Sequence, residues 1–458
     1  MAASACDADT RDALRHVRSG PVTLPFEGLL PLTSAVSAGG RLEIGGCDVH
    51  ALIEEFGSPL YVYDEATVRA VCREFVESFS KEYPDSQVSY STKAFASPAL
   101  ARILEEEGLG MNLVSGGELA VARAAGFPPD RLILHGNNKS AEELEEAVGY
   151  GVGCIVIDGE DEIEILDGVA AGRGVRQKVW LRVSPGIDPH THALTTTGVL
   201  DSKFGFPLET GQAEETVRRA MAARNLDLAG LHFHLGSPIF EVRAYAAAIR
   251  LVLEFAARMR EAGFQLREFS PGGGYAVGYV PDCPPPAIAA YAREIALALR
   301  AGCDAHGLAE PRLAVEPGRT IVGRAGVAVY RVGAIKRIPG VRTYVAVDGG
   351  MADNIRPALY GARYSVLNAT RPLEPATETV TVAGKFCESG DLLARDVALP
   401  PVRRGDLLAL PASGAYCVPM ASNYNMALRP AIVLVAGGRA RLIRRRETYD
   451  DLLSTSLF

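Results

Sequence analysis

The sequence predicts an α/β protein, a (β/α)8 TIM-like barrel followed by a second, mostly β domain of sandwich or barrel type. Three observations carry this. The chain has 458 residues, more than the roughly 250–300 at which one hydrophobic core stops growing. Eight short apolar runs alternate with amphipathic helical stretches from about residue 60 to 316, the rhythm of strand–helix units that close into a barrel. Beyond residue 320 long helices become scarce, and short β-rich runs are separated by turn residues. An open doubly wound sheet is the alternative, because a strand count read from sequence can be off by one or two.

In chain order, residues 1–20 form a polar leader without the apolar stretch of a signal peptide. Leu42–Tyr63 contains β-like pieces that can add strands to the second domain. The eight barrel runs are Val88–Ser91, Met111–Val114, Leu132–His135, Cys154–Ile157, Val179–Val183, Ala229–His234, Leu266–Ser270 and Leu313–Glu316. Between them, Ser97-Pro98 supplies an N-cap followed by proline at the first helical position. Ser140 with Glu143 has capping-box spacing. Thr210–Asn225 and Glu241–Gly263 are long and periodic. The β runs that follow are Val327–Tyr330, Tyr344–Val347, Thr379–Ala383, Leu407–Leu410 and Ala431–Val435. The expected division is therefore a leader over 1–20, a barrel over 60–320, and a second domain made of 21–59 plus 321–458.

The charge balance, 47 basic against 55 acidic side chains for a net −8, offers no basic face for nucleic acid or an anionic membrane. No apolar run approaches the roughly 20 residues of a membrane span. Eight cysteines are spread without a C-x-x-C pair, which suits a reducing cytoplasm better than a disulfide framework or a zinc finger.

Function in such a barrel sits at the C-terminal ends of the strands. Those positions carry Lys93, Ser115–Glu118, His135–Asn138, Asp158, Arg182, His234–Ser237, Gly272–Gly274 and Glu316–Arg319. Lys93, between an apolar strand and Ala94-Phe95, is either a surface lysine or an amine able to form a Schiff base. Gly272, Gly273 and Gly274 form either a flexible turn or a nest of N–H groups for an anion. Glu316 and Arg319 are a salt bridge at the mouth, or a carboxylate for a protonated ring nitrogen and an anion site. His190/His192 and His232/His234 have the i, i+2 spacing of paired metal ligands on a strand, but His190/His192 falls in a loop after Pro185-Gly186 and His232/His234 lacks an obvious third ligand, the alternative being one imidazole that faces the barrel mouth and stacks on a planar ligand. Cys387, flanked by Glu388 and Asp391, is a candidate proton donor. Tyr360 and Tyr416 stand among Gly, Arg and Asn residues, which favours a polar site over a plain core position.

Taken together these strings resemble the diaminopimelate decarboxylases, pyridoxal-phosphate enzymes with an alanine-racemase-like barrel and a β domain. The resemblance spans about residues 40–455. It rests on the Lys93 segment, HGNNKS at His135–Ser140, DSKFG at Asp201–Gly205, HFHLGS at His232–Ser237 and PGGGY at Pro271–Tyr275. EPGR at Glu316–Arg319, DGGMADNIRPALY at Asp348–Tyr360, CESGD at Cys387–Asp391 and SNYN at Ser422–Asn425 complete it. Order and spacing make the set specific.

The resemblance implies pyridoxal 5'-phosphate held covalently by Lys93, with His234 stacked on its ring. It implies Ser237, the Gly272–Gly274 backbone, Gly318, Arg319 and Tyr416 around the cofactor, and Glu316 on the ring nitrogen. Arg319, Arg356, Tyr360, Glu388 and Tyr416 would hold the substrate, and Cys387 would protonate the α-carbon. No metal is implied. The implied reaction converts meso-2,6-diaminopimelate to L-lysine and carbon dioxide, the last step of lysine biosynthesis. The implied assembly is a homodimer with Cys387 of one chain completing the other's site. Two positions depart from the family pattern, Asn112 where Asp is usual and Pro238 where Gln is usual. They leave room for a related amino acid as substrate, such as ornithine, lysine or a carboxy-polyamine. A barrel metallohydrolase and a non-catalytic homologue are the alternatives from other classes.

Overall fold

The computed structural model describes residues 24–188 and 196–457. The 1–20 leader and the His190/His192 pair lie outside them. The barrel is closed and parallel: β1 (Ser86–Ser91), β2 (Gly110–Leu113), β3 (Leu132–Leu134), β4 (Cys154–Ile157), β5 (Gln177–Ser184), β6 (Leu226–His232), β7 (Glu268–Ser270) and β8 (Arg312–Val315) pair in sequence order, and β8 pairs back to β1. All eight expected runs are strands. The β-branched and apolar side chains alternate as a closed barrel requires. Ile133, Cys154, Val156, Trp180, Ala229 and Ala314 form one small buried cluster. The leucines and valines between them join the larger core beneath the helices. Glu268 accepts from Trp180 Nε1 at 2.6 Å and from Lys178 Nζ at 2.8 Å.

The helix starts follow their caps. Ser97 Oγ accepts from the Leu100 amide at 3.1 Å ahead of Pro98–Glu106. Both halves of the Ser140/Glu143 capping box are formed ahead of Ala141–Tyr150. The long helices, Gln212–Ala222 and Arg243–Glu261, are each shorter than the periodic stretch that predicts them.

In the second domain a path of seven strands runs Leu392–Leu399, Glu378–Ala383, Arg342–Val347, Gly326–Ile338, Leu60–Asp64, Ala431–Ala436 and Arg439–Arg444. Leu407–Leu410 also pairs with Gly326–Ile338. The strand Leu60–Asp64, which the division at residue 60 gives to the barrel, belongs to this sheet instead: it pairs with Gly326–Val329 and with Ala431–Val435. Its neighbour Leu42–Ile44 forms a small separate sheet with Ala35–Val36 and Cys47–Asp48. Leu60, Val62, Val327, Val433 and Leu42 share one core. No helix of the described residues is long and apolar enough to cross a membrane.

The two parts share one apolar core, in which the Tyr63 and Phe95 rings stack 4.6 Å apart, and close approaches of backbone join them at Gly414. Tyr63 Oη donates to the Gly414 carbonyl at 2.7 Å, the Gly414 amide donates to the Gly323 carbonyl at 3.1 Å, and the Tyr416 amide donates to the Ala94 carbonyl at 2.9 Å. A Cβ on Gly414 would collide with the Val322 carbonyl oxygen and stand 2.9 Å from the Gly326 nitrogen. Overpacking against backbone cannot relax by a rotamer change, so Gly414→Ala is expected to cost about 2 kcal/mol or more. Urea denaturation measures it, and an unchanged midpoint would contradict this account of the junction.

Candidate active site

Residues from the C-terminal ends of the barrel strands and from the second domain line one cavity of about 720 Å³. Lys93 lies on a single 3-10 turn, Thr92–Ala94, directly after β1. The Thr92 hydroxyl is held between the Asn112 carbonyl and the Glu118 carboxyl, and Lys93 extends into the cavity. Its surface is open to that space although it lies deep in the fold. Burial lowers its pKa, Arg182 adds to this, and Glu316 and Glu118 act against it. An amine so placed is more readily neutral, and therefore a better nucleophile toward a carbonyl.

Glu316 follows β8 at the base of the cavity. His232 Nε2 lies 3.1 Å from its Oε2, and Ser270 Oγ donates to its Oε1 at 2.9 Å. Burial alone would raise its pKa, but His232 and His135 nearby and the two hydrogen bonds outweigh burial and hold it below the usual carboxylate range. His135 Nε2 is 3.5 Å away. Burial takes the His135 pKa down to about 3, so near neutrality this contact is a neutral ring beside an anion and not an ion pair. His135, His232 and Glu316 are grouped closely enough to ligate a metal. The sequence reading paired His232 with His234, whereas the structure turns His232 onto the carboxylate.

His234 accepts at Nδ1 from the Gly273 amide at 3.2 Å, and burial pushes its pKa well below the usual histidine value. Its ring is therefore neutral and fixed. A Cβ on Gly272, at φ +74°, would meet the Phe233 carbonyl at 2.5 Å, and one on Gly273 would collide with the Glu316 carbonyl. Only glycine allows this backbone to lie so close to two strand ends. Gly274 packs against the Gly236 carbonyl, and Gly318 packs against Ser91. Ser237 Oγ accepts from Arg319 Nε at 3.2 Å.

Arginines and tyrosines line the far side of the cavity. Arg319 Nη1 donates to Tyr279 Oη at 2.7 Å, and its guanidinium stands 4.7 Å over the Tyr416 ring. Arg356 packs 4.4 Å over Tyr279, donates to Tyr364 Oη, and is 5% exposed. Tyr360 also lines the cavity. Asn112 is buried with neither amide atom partnered. It and Pro238, the two departures from the family pattern, both line the cavity.

The structure thus brings together Lys93, His234, Ser237, Gly273, Glu316, Arg319, Arg356, Tyr360 and Tyr416, with Gly272, Gly274 and Gly318 supporting them. It does not bring Cys387 or Glu388 to them. Both are exposed on the second domain and neither lines the cavity. The Cys387 amide donates to Asn425 Oδ1 at 2.9 Å. His135, Arg182, His232, Tyr279 and Tyr364 also contribute. The strand-end rule marks His135 and Arg182, and His232 stands out only as a possible metal ligand, whereas nothing local marks Tyr279 or Tyr364.

Comparisons with known proteins agree with this geometry. A family model, pyridoxal-dependent decarboxylase, pyridoxal binding domain, matches residues 68–323. The chain is 44% identical over 426 residues to a diaminopimelate decarboxylase of Bacillus subtilis (strain 168), covering 93% of this chain and 97% of that one. It is 46% identical over 428 residues to a diaminopimelate decarboxylase of Actinosynnema pretiosum, covering 93% and 94%. The solved diaminopimelate decarboxylase of M. jannaschii matches with a TM-score of 0.87 at 32% identity, covering 93% of this chain and 98% of that one. That of Helicobacter pylori, complexed with L-lysine, matches with a TM-score of 0.81 at 29% identity, covering 89% and 98%.

The buried neutral His135 has a consequence for stability. Its folded pKa lies below the unfolded value of about 6.5, so the unfolded chain binds more protons as pH falls. The stability concerned is present above about pH 6.5 and is lost as pH falls toward the folded value, at up to about 1.4 kcal/mol per pH unit. Between pH 7 and 5, His135→Gln should make the urea-denaturation midpoint fall less steeply than in the wild type. Parallel curves would show that His135 titrates normally in the folded protein.

Proposed function

The chain belongs to the diaminopimelate decarboxylases, within the pyridoxal-dependent decarboxylases, and from that premise we propose how its residues carry out the conversion of meso-2,6-diaminopimelate to L-lysine and carbon dioxide. The carrying observation is that Lys93, Glu316 and His234 face one cavity beside the Gly272–Gly274 backbone.

These residues fit pyridoxal phosphate. Lys93 presents an amine that no hydrogen bond engages among the described residues. The glycine backbone leaves a cradle that side chains would fill, and an anionic carboxylate stands at the base. Bound there, the cofactor supplies an electrophilic carbon for amines and a cationic ring able to accept the electron pair left behind by carbon dioxide.

Each residue then has a role set by its surroundings. Lys93 would hold the cofactor covalently. Glu316, kept anionic, would favour a protonated ring nitrogen. His234, kept neutral by burial and fixed by the Gly273 amide, would lie beside the ring without opposing its charge. Ser237 and the Gly274 amide would hold the phosphate, the Gly272 and Gly273 amides being given to Ser270 Oγ and His234 Nδ1, with Gly318, Arg319 and Tyr416 beside it. Arg356 and Tyr360 bind the distal end of the substrate, where a planar guanidinium suits a carboxylate, and Arg319 and Tyr416 border both groups.

A proton must be returned to the α-carbon once carbon dioxide has left. We assign that proton to Cys387, lent together with Glu388 by a second copy of the chain in a homodimer. The exposure of both on the second domain supports this, as does the frequency of two-fold dimers among soluble oligomers. We place the enzyme in the cytoplasm, where its unpaired cysteines remain reduced.

Subunit mixing tests Lys93 and Cys387 together. Lys93→Ala should lose both the visible absorbance of lysine-bound cofactor and carbon dioxide release, and Cys387→Ala should keep the absorbance but release little carbon dioxide. After exchange half the dimers are mixed, each with one intact site of two, so activity should return to roughly one quarter of wild type. A Lys93→Ala protein that keeps its band moves the cofactor to another lysine. Proven exchange without recovery places the proton donor within one chain.

A further inference from the structure

We propose that Asp353 is a positioning residue for substrate binding, which fixes the loop 349–355 so that Arg356 meets the distal carboxylate of the substrate. The inference rests on the reading of Arg356 above.

Asp353 is three residues ahead of Arg356 and 4% exposed. Its Oδ1 accepts from Tyr61 Oη at 3.1 Å and from Tyr330 Oη at 2.5 Å, and its Oδ2 accepts from the Gly350 amide at 2.9 Å. The Gly350 carbonyl in turn accepts from the amides of Asp353 at 3.1 Å and Asn354 at 2.9 Å. One carboxyl therefore closes the turn and ties it to two strands of the second domain, Leu60–Asp64 and Gly326–Ile338. The other face of the turn is held by Asp391, which accepts from the Met351 amide at 2.6 Å. Beyond the turn the short helix Arg356–Tyr360 begins, and Arg356 spans from it to the rings of Tyr279 and Tyr364.

This is a costly way to hold a loop. A buried carboxylate needs a cation or several donors, and no cation pairs with Asp353 among the described residues. The titratable groups around it are Tyr61, Tyr330 and Asp391, with Cys417 and Arg446 in electrostatic reach. Burial pushes its pKa up to about 6 against the pull of its hydrogen bonds. When the carboxyl takes a proton it loses part of its capacity to accept, and its grip on three donors weakens. The expected sign follows: KM for the substrate rises as pH falls through about 6.

Three variants of the holoenzyme test this with meso-diaminopimelate. Asp353→Asn should raise KM about tenfold, change kcat less than about threefold, and leave the cofactor absorbance intact, the pattern of lost binding without lost chemistry. It should also abolish the rise of KM near pH 6. Tyr330→Phe removes one donor and should raise KM by a smaller factor, which keeps the test open if Asp353→Asn does not fold. Arg356→Met separates the two readings. If it leaves KM unchanged, the clamp reading falls and this inference with it. If it raises KM while Asp353→Asn and Tyr330→Phe leave KM and its pH dependence as in the wild type, Arg356 stands and the role of Asp353 is overturned.

Discussion

A buried carboxylate is kept ionised at the floor of the barrel mouth, and most of the site is arranged around that requirement. Glu316 leaves β8, His232 ends β6, Ser270 ends β7 and His135 follows β3, so four strand ends converge on one anion. An isolated buried carboxylate would take up a proton. Here hydrogen bonds from His232 and Ser270 keep it charged, and they exist only when the barrel closes. The fold and the charge state of Glu316 are therefore one fact. The Gly273 backbone lies against the Glu316 carbonyl, and the Gly273 amide fixes His234, so the floor also sets the position of that histidine.

The remaining groups are placed around that anion. Neutral imidazoles stand at the centre, because burial disfavours their protonation. Arg182 stands among them, 3.6 Å from Asp158, while Arg319 and Arg356 are sheathed by tyrosine rings that compensate them without neutralising them. Lys93 is held toward its neutral form.

Much of this was legible in the sequence. Each barrel strand is a short apolar run, several helices of the first half carry side-chain caps, and those signals are local. Strand ends could be read as site positions, so Lys93, His234 and Glu316 could be named. The partners of Glu316 could not, because contacts such as His232 to Glu316 join residues on different strands. The strand Leu60–Asp64 reads as LYVYD, a pattern that fits either sheet, and only its pairing with Ala431–Val435 assigns it to the second domain. Leu392–Leu399 escaped because Arg395 and Asp396 interrupt its apolar run, with Asp396 at φ +52° where the ladder shifts register. Tyr279 and Tyr364 lie in irregular segments whose composition does not distinguish a cavity wall from a surface loop. Cys387 and Glu388 could be picked out by their motif, yet one folded chain leaves both outside the cavity.

The account turns on the anionic state of Glu316, and the most direct measurement is carbon dioxide release by Glu316→Gln at saturating cofactor and substrate. Glutamine keeps the size and a hydrogen bond but carries no charge to retain a ring proton. The account predicts a loss in kcat of about 100-fold or more, roughly 2.7 kcal/mol of barrier, with the lysine-bound cofactor still present by absorbance. A Glu316→Gln enzyme with full cofactor occupancy and near-wild-type kcat would contradict it, because the charge that the barrel mouth is built to preserve would then have no part in the chemistry.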